Sequence, residues 1–271
     1  NAKALMRYNR EYVELRGYKM EKIVSMKNQK VKQWKKLQTT KGRKEARAYL
    51  IEGTHLLKEA IKANAIIQEI VMTETFFQQS DLKIAEEVIV IVSPEILASL
   101  AQTETPQGVV AIVKIPEDTP ILDYKGKYIL LDQVQDPGNV GTIIRTADAA
   151  GYSGVFLGEG SVDLYNDKVL RSMQGSHFHL PVHRAALQEL IPEMKSKGMP
   201  VYGTELNEAA VDYRTLPPTD TVVLVMGNEG NGVSEKILAL TDQNLYIPIF
   251  GEAESLNVAV AAGILLYHFV G

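Results

Sequence analysis

The sequence predicts an α/β protein in two units, the second of them built on a largely parallel sheet. Three observations carry that reading. Short apolar runs of strand length alternate with helical patterns along the chain, as they do where strands are joined by crossover helices. Between Ile115 and Lys127 the alternation is interrupted by Pro116, Pro120 and Gly126 among acidic residues, which places a boundary there. Charge divides along the chain as well: residues 1–49 hold fifteen Lys and Arg against four Asp and Glu, and the remainder hold 14 against 29.

With 271 residues, 45% of them hydrophobic, the chain has material for two modest cores. It has no cysteine, which excludes disulfides, thiolate metal sites and cysteine nucleophiles. No apolar run approaches the ~20 residues of a membrane span, and no charged-then-apolar leader precedes a cleavage site, so a soluble, cytoplasmic protein is expected. His177, His179 and His183 lie close together at strand-like spacing without partnering carboxylates, which points to structural or surface roles and to no metal. A local excess of cations on an otherwise acidic chain suits a polyanion partner, because neutralising phosphates releases their condensed counterions. Residues 1–19 read as a basic leader, disordered or foreign to the native chain, with Met20 as the expected native start.

The first domain is expected over residues 20–116. Val31, Trp34 and Leu37 stand at helical spacing among lysines, so residues 30–44 read as one helix ended by Gly42. Trp34, the single tryptophan, anchors it to a core, and Lys41, Arg43, Lys44 and Arg47 form a cationic cluster. Ala48 to Glu52 follows as a strand, then Gly53 and an amphipathic helix from Thr54 to Ala63 with Leu56, Leu57, Ala60 and Ile61 inward. Strands are expected at Ile66–Thr73, Val88–Val92 and Gly108–Lys114, with Phe76 to Ala85 helical or irregular. Ser93 caps a short helix from Pro94 to Leu100, and Pro106 and Gly108 break the loop TETPQG.

After a linker over residues 117–127, the second domain (128–271) is more regular. Tyr128 to Val134 is a continuous apolar run and reads as a buried strand. The loop Gln135–Asn139 and a helix from Val140 to Ala150, stopped by Gly151, come next. Strand Gly154–Leu157, helix Asp167–Met173, strand His179–Val182, helix Ala185–Lys197 and strands Val201–Thr204 and Thr221–Met226 continue the alternation. A glycine loop (Gly227–Gly232), a helix (Ser234–Leu240) and a strand (Asn244–Phe250) lead into the tail. The last helix is nearly all small or apolar and is expected to be buried on most sides, with Ser255 at its N-cap position.

Parallel sheets of this kind bind ligands at the carboxyl ends of their strands, and three loops there share an unusual chemistry. QDPGNVGTIIRTADAAG carries Asn139 and Arg145, MGNEGNGVS carries Glu229 among glycines that let backbone approach a ligand, and the tail turn carries Ser255 and Asn257. Each alone also reads blandly: Arg145 as a surface partner of Asp148, Glu229 as a solvated turn residue, Ser255 as an ordinary cap. GNEGNG lacks both the Rossmann glycine order and a P-loop lysine, which argues against a dinucleotide or nucleoside triphosphate bound in the usual way.

Together, in this order, DPGNVGTIIRTADAAG, LVMGNEGNGVS and IPIFGEAESLNVAVAAGILLYH resemble the three motifs of the SpoU (TrmH-type) branch of the SPOUT RNA methyltransferases, over Tyr128 to Gly271. YLIEGTHLLKEA and TPQG resemble the substrate-binding domain of its rRNA-directed members, a ribosomal-protein-like α/β sandwich. The resemblance implies a C-terminal α/β knot, its tail threaded into a deep trefoil, in a homodimer. It implies S-adenosylmethionine bound against Met226, Gly227, Gly230, Ile247 and Leu256, and methyl transfer to a ribose 2′-hydroxyl of RNA, rRNA being expected. Asn139, Arg145, Glu229, Ser255 and Asn257 are the catalytic residues it implies. Arg145 is then expected to hold a phosphate and offset developing alkoxide charge, since a guanidinium keeps its proton. Asn139, Ser255 and Asn257 would position ribose and loops, and Glu229 would fix the arginine or its own loop. A tRNA substrate, or a non-catalytic RNA-binding or ribosome-assembly role, remains an alternative.

Overall fold

The computed structural model describes residues 11–15, 18–81, 88–117, 123–207 and 209–270. The chain divides into two compact units, Asn1–Pro116 and Glu117–Gly271.

The first unit is a mixed six-stranded sheet. Its strands are β1 (Glu11–Leu15), β2 (Tyr18–Ile23), β3 (Ala48–Glu52), β4 (Ile67–Thr73), β5 (Ile89–Val92) and β6 (Val109–Lys114), in the spatial order β1-β2-β5-β4-β6-β3. Its helices are α1 (Gln29–Lys36), α2 (Thr40–Ala46), α3 (Thr54–Lys62), α4 (Glu74–Gln79) and α5 (Pro94–Leu100). Alternation decides which side each residue serves. Val71, Val90, Val92, Val110 and Ile112 face Val31, Trp34 and Leu37 on the α1 side and Ile96, Leu97 and Leu100 of α5. Tyr49, Ile51, Ile70, Met72 and Ile91 are buried among the alternate residues, and α3, which packs on β3 and β6, belongs to no part of the α1–α5 cluster. Both faces are therefore covered, as in an α/β sandwich.

Several expectations change here. The basic leader is partly sheet: β1 pairs antiparallel with β2, and β2 runs parallel to β5, so residues 11–15 and 18–19 are structural. Residues 1–10, 16 and 17 lie outside the described residues, as do 82–85 of the segment expected to be helical or irregular and 118–122 of the expected linker. The single helix over 30–44 is two. Thr39 accepts a hydrogen bond from Gly42 N at 3.1 Å and starts α2, and Gly42 lies inside that helix rather than ending one. A Cβ on Gly42 would sit 2.0 Å from the Lys36 carbonyl oxygen, so the glycine lets α2 fold back against the end of α1. Arg43 leaves the cationic cluster: it is 5% exposed and donates to the Leu37 carbonyl at 3.0 Å and to Thr40 Oγ1 at 3.1 Å. Trp34 is buried, with Nε1 donating to Glu69 at 2.7 Å.

The second unit is a seven-stranded sheet in which every pairing is parallel. Its strands are β7 (Lys127–Leu131), β8 (Gly154–Leu157), β9 (Val182–Arg184), β10 (Val201–Thr204), β11 (Val211–Asp212), β12 (Val222–Met226) and β13 (Gln243–Tyr246), ordered β11-β13-β10-β12-β7-β8-β9. The connecting helices are α6 (Pro137–Ala149), α7 (Asp167–Met173), α8 (Leu187–Ser196), α9 (Glu235–Leu238) and α10 (Val258–His268). Tyr128, Leu130, Phe156, Val201, Val223 and Val225 pack against Leu187, Ile191 and Met194 of α8.

The expected first strand is shorter, ending at Leu131, because Gln133 takes a left-handed φ of 58° and turns the chain. α6 starts earlier than expected, since Asp136 caps it by accepting from Asn139 N and Pro137 fills its first position. The strand expected at His179–Val182 begins only at Val182; Ser176–Phe178 is a 3₁₀ turn, where burial pushes the His177 imidazole down to about 3. β13 ends at Tyr246 rather than Phe250, which is 87% exposed. The tail helix is less enclosed than expected. Ala259, Ala262, Leu265 and Leu266 are buried, whereas Val260 is 53% and Tyr267 54% exposed on one face. Its cap is Asn257, not Ser255: Asn257 Oδ1 accepts from Ala259 N at 2.9 Å and Val260 N at 3.2 Å.

Candidate active site

The site is assembled where β7, β12 and β13 end. β7 and β12 pair up to Leu131 and Met226, and the Asp132 N–H donates to the Met226 carbonyl at 2.8 Å. The chain beyond Met226 turns at Asn228, whose N–H and C=O both bond to Gly232 at 2.9 Å. Gly227 is needed because a Cβ there would lie 2.0 Å from the Gly232 carbonyl carbon and the Val233 nitrogen. Asn228 Oδ1 accepts from Gly230 N and Asn231 N, and its amide donates to the Gln133 carbonyl at 2.9 Å. The glycine loop is thus a rigid hook fastened to the end of β7.

Glu229 fastens it further. One carboxylate oxygen accepts from Asp136 N and Asn139 Nδ2, both at 3.0 Å, and the other accepts from Gln135 N at 3.2 Å. Burial raises the Glu229 pKa, but the Asn139 amide and the backbone N–H donors outweigh it, so the net shift is below the usual carboxylate value. Asn139 then passes the connection on: its Oδ1 accepts from Asn257 Nδ2 at 3.0 Å. Glu229, Asn139 and Asn257 therefore form one hydrogen-bonded line across all three motifs, ending on the first turn of α10.

Arg145 and Ser255 stand outside that line. Both are exposed, and among the described residues neither side chain has a hydrogen-bond or ion-pair partner. Of the two roles expected for Glu229, fixing the arginine or its own loop, the hydrogen bonds match the second: it ties its loop to Gln135, Asp136 and Asn139 and has no bond to Arg145. Of the residues expected at the cofactor, Met226 and Gly227 are buried at the end of β12, Gly230 is exposed on the hook, Ile247 is half-buried beyond β13, and Leu256 is 39% exposed before the cap of α10.

Three supporting residues escape sequence reasoning. Asp132, 6% exposed, accepts from Ser234 N at 2.8 Å and so closes the base of the hook. Asp136 caps α6, and Asn228 sets the hairpin. A carboxylate directly after the apolar run YILL was the available signal for Asp132. Among the described residues no cluster of three or more His, Asp or Glu could hold a metal ion.

This geometry suits an adenosyl sulfonium ligand. Gly230 is exposed on the hook, while Ile249, Phe250 and Leu256 leave apolar surface open on the segment between β13 and α10. Known proteins match the same features. Residues 126–267 match the model of the SpoU rRNA methylase family, and residues 28–111 match an MRM3-like substrate binding domain. The chain is 48% identical over 252 residues to the 23S rRNA (guanosine(2553)-2′-O)-methyltransferase RlmP of Bacillus subtilis, covering 93% of this chain and all of that one. A solved AdoMet-bound rRNA methyltransferase of Sinorhizobium meliloti superposes with a TM-score of 0.82 at 33% identity, over 92% of this chain and 97% of that one. The SpoU methyltransferase AviRb of Streptomyces viridochromogenes, in complex with AdoMet, superposes with a TM-score of 0.79 at 28% identity, over 90% of this chain and 97% of that one. On these matches, and on the line joining its three motifs, the chain belongs to the SpoU rRNA methylase family.

Proposed function

We propose that this chain is an S-adenosylmethionine-dependent methyltransferase acting on a ribose 2′-hydroxyl of 23S rRNA. The observation that carries the reading is the Glu229–Asn139–Asn257 line, which fixes three loops beside an unpaired arginine. Bound S-adenosylmethionine supplies the electrophilic methyl group. Met226, Gly227, Gly230, Ile247 and Leu256 would hold it, largely through backbone and apolar contacts. Arg145 then holds a phosphate beside the target ribose and stabilises charge on the attacking oxygen; it accepts no proton. Ser255 hydrogen-bonds the ribose, while Asn139 and Asn257 keep the loops in register. The B. subtilis relative acts on guanosine 2553 of 23S rRNA, so the equivalent guanosine is the first position to map.

The first unit, taken as residues 20–116, binds RNA, residues 117–127 link it, and residues 128–271 carry catalysis. Exposed Lys32, Lys36, Lys41, Lys44 and Arg47 on and beside α1 and α2 support the RNA-binding assignment. The tail is read as knotted. β13 lies beyond β10 and β12 from β7, yet α10 packs on α6, which follows β7, and Tyr152 Oη donates to the Leu266 carbonyl at 3.3 Å. Residues 247–257 must cross the carboxyl edge of the sheet, which supports a threaded tail. Val260, Gly263, Ile264 and Tyr267 repeat at helical spacing on the open face of α10 and support a homodimer built on that face. A cytoplasmic location fits an rRNA substrate; among the described residues no helix is long and apolar enough to cross a membrane.

The deciding experiment is transfer of labelled methyl from S-adenosylmethionine to an unmodified 23S rRNA transcript, followed by mapping of alkali-resistant positions. One labelled ribose is expected. Cofactor binding with no label in any RNA would overturn the reading.

A further inference from the structure

β7 and β8 are neighbours, and their carboxyl ends lead into α6 and α7, so both helices begin at the same edge of the sheet. Gly141 brings them into close contact. A Cβ there would fall 2.5 Å from Ser172 Cβ and 2.7 Å from the Val169 carbonyl oxygen. Between the first turn of α6 and the flank of α7 lies an open cleft of about 460 Å³ lined by Asp136, Pro137, Gly138, Lys168, Arg171 and Ser172. Gly138 and Arg145 are about two helical turns apart and share one face of α6, where long side chains lean toward the helix N-terminus. Gly138, which lines the cleft with Lys168 and Arg171, therefore stands on the Arg145 face of α6.

The carboxylates of this region are already engaged. Asp136 Oδ1 accepts from Asn139 N at 2.8 Å, and Asp167 Oδ2 lies 2.9 Å from Arg171 Nη1. That ion pair uses one edge of the Arg171 guanidinium and leaves other N–H donors. Lys168 is exposed and, among the described residues, has no carboxylate within ion-pair distance.

We propose that this cleft holds the RNA phosphodiester next to the target ribose, with Lys168 as a point charge and Arg171 as a donor fork. The proposal rests on the RNA-methylating reading above. A ribose presented at Arg145 carries a phosphate on each side, and this concavity, lined by Lys168 and Arg171 with Asp136, opens beside the first turn of the same helix. The positive end of the α6 dipole adds to the field there. Neither residue touches the reacting atoms; both are positioning residues.

The test compares Lys168→Gln, Arg171→Gln and Arg171→Lys with the unaltered protein. Affinity for a 23S rRNA transcript is measured by filter binding at several salt concentrations, alongside methyl transfer, cofactor affinity and melting temperature. Each Gln variant is expected to bind RNA about tenfold more weakly, with a raised KM and a slope of log affinity against log salt shallower by about 0.7–0.9. Cofactor affinity and melting temperature hold, and Arg171→Lys keeps the slope. Unchanged affinity and slope in both Gln variants of a protein that methylates the transcript overturn the cleft and leave the methylation reading standing. Gln variants that lose stability or cofactor affinity in step with RNA affinity assign these residues to the fold instead. If the unaltered protein neither binds nor labels RNA, both readings fall together.

Discussion

Arg145 and Glu229, the two charged residues of the proposed site, are held in opposite ways. Glu229 spends its carboxylate on neighbouring amides, whereas Arg145 projects from α6 with its donors unspent. Replacing Arg145 with Ala should lower methyl transfer by at least ~100-fold, because the lost donors act where charge develops. S-adenosylmethionine affinity, read by calorimetry, should stay within about twofold. Near-normal turnover in that variant would remove the arginine from the reaction. Glu229→Gln exchanges one acceptor oxygen for an N–H donor, which would face N–H groups already pointing at it, and leaving these unpaired costs about 1–3 kcal/mol of loop order. Its transfer rate should fall more than tenfold. The pH dependence has a definite sign. The folded pKa of Glu229 lies below that of a free glutamate, so its contribution to loop order is fully present above the free value and is lost as pH falls through the lower, folded one. Hydrogen exchange of the amides of Gln135, Asp136 and Asn139, followed from pH 6 downward, should show protection lost in the wild type as pH falls through the lowered carboxylate pKa. Protection factors, corrected for the intrinsic pH dependence of amide exchange, that stay constant through the folded titration would contradict the assignment.

Elements read well from sequence wherever a long pattern supported them. Gly154–Leu157, Asp167–Met173 and Val201–Thr204 have the expected bounds, because buried parallel strands and amphipathic helices announce themselves by composition. The failures are of a different kind. β11 has two residues, too few to show any period. Ser255 and Asn257 are both good capping residues, and local chemistry could not choose between them. The choice is coupled to Asn139, a hydrogen-bond partner 118 residues away. Asp132 and Asn228 were missed for the same reason, since their partners are backbone groups of another loop. The motif residues could be named from family likeness, but their order in the line could not. Backbone proximity in the hook gives a sharp prediction. Gly227→Ala forces a methyl group into the Gly232–Val233 backbone, with an overpacking cost of about 1–3 kcal/mol or more. Cofactor affinity should fall at least tenfold, and a variant binding S-adenosylmethionine normally would show that the hook opens freely.

For the whole molecule, the proposed division of tasks between the two units can be tested on their charge and apolar surface. Cutting away residues 20–47 would be a poor test of RNA binding, because β2 is a sheet strand and Val31, Trp34 and Leu37 are core residues. Changing Lys32, Lys36, Lys41 and Lys44 to Gln together leaves that core intact. The altered protein should bind RNA with a salt slope shallower by about 2–3 if these lysines meet phosphates. An unchanged slope would acquit them. Val260→Glu combined with Tyr267→Glu should convert a dimer to monomers in analytical ultracentrifugation and reduce transfer with it. A wild-type protein that sediments as a monomer would dispose of the dimer. The bond between Asn139 and Asn257 also has a consequence in time. During synthesis β7 and α6 emerge early, but Asn257 and α10 emerge more than a hundred residues later. A nascent chain stalled before that point holds all seven strands of the second sheet but not the Asn139–Asn257 bond. If that bond completes the proposed site, a copy lacking its last helix forms its sheet and methylates nothing.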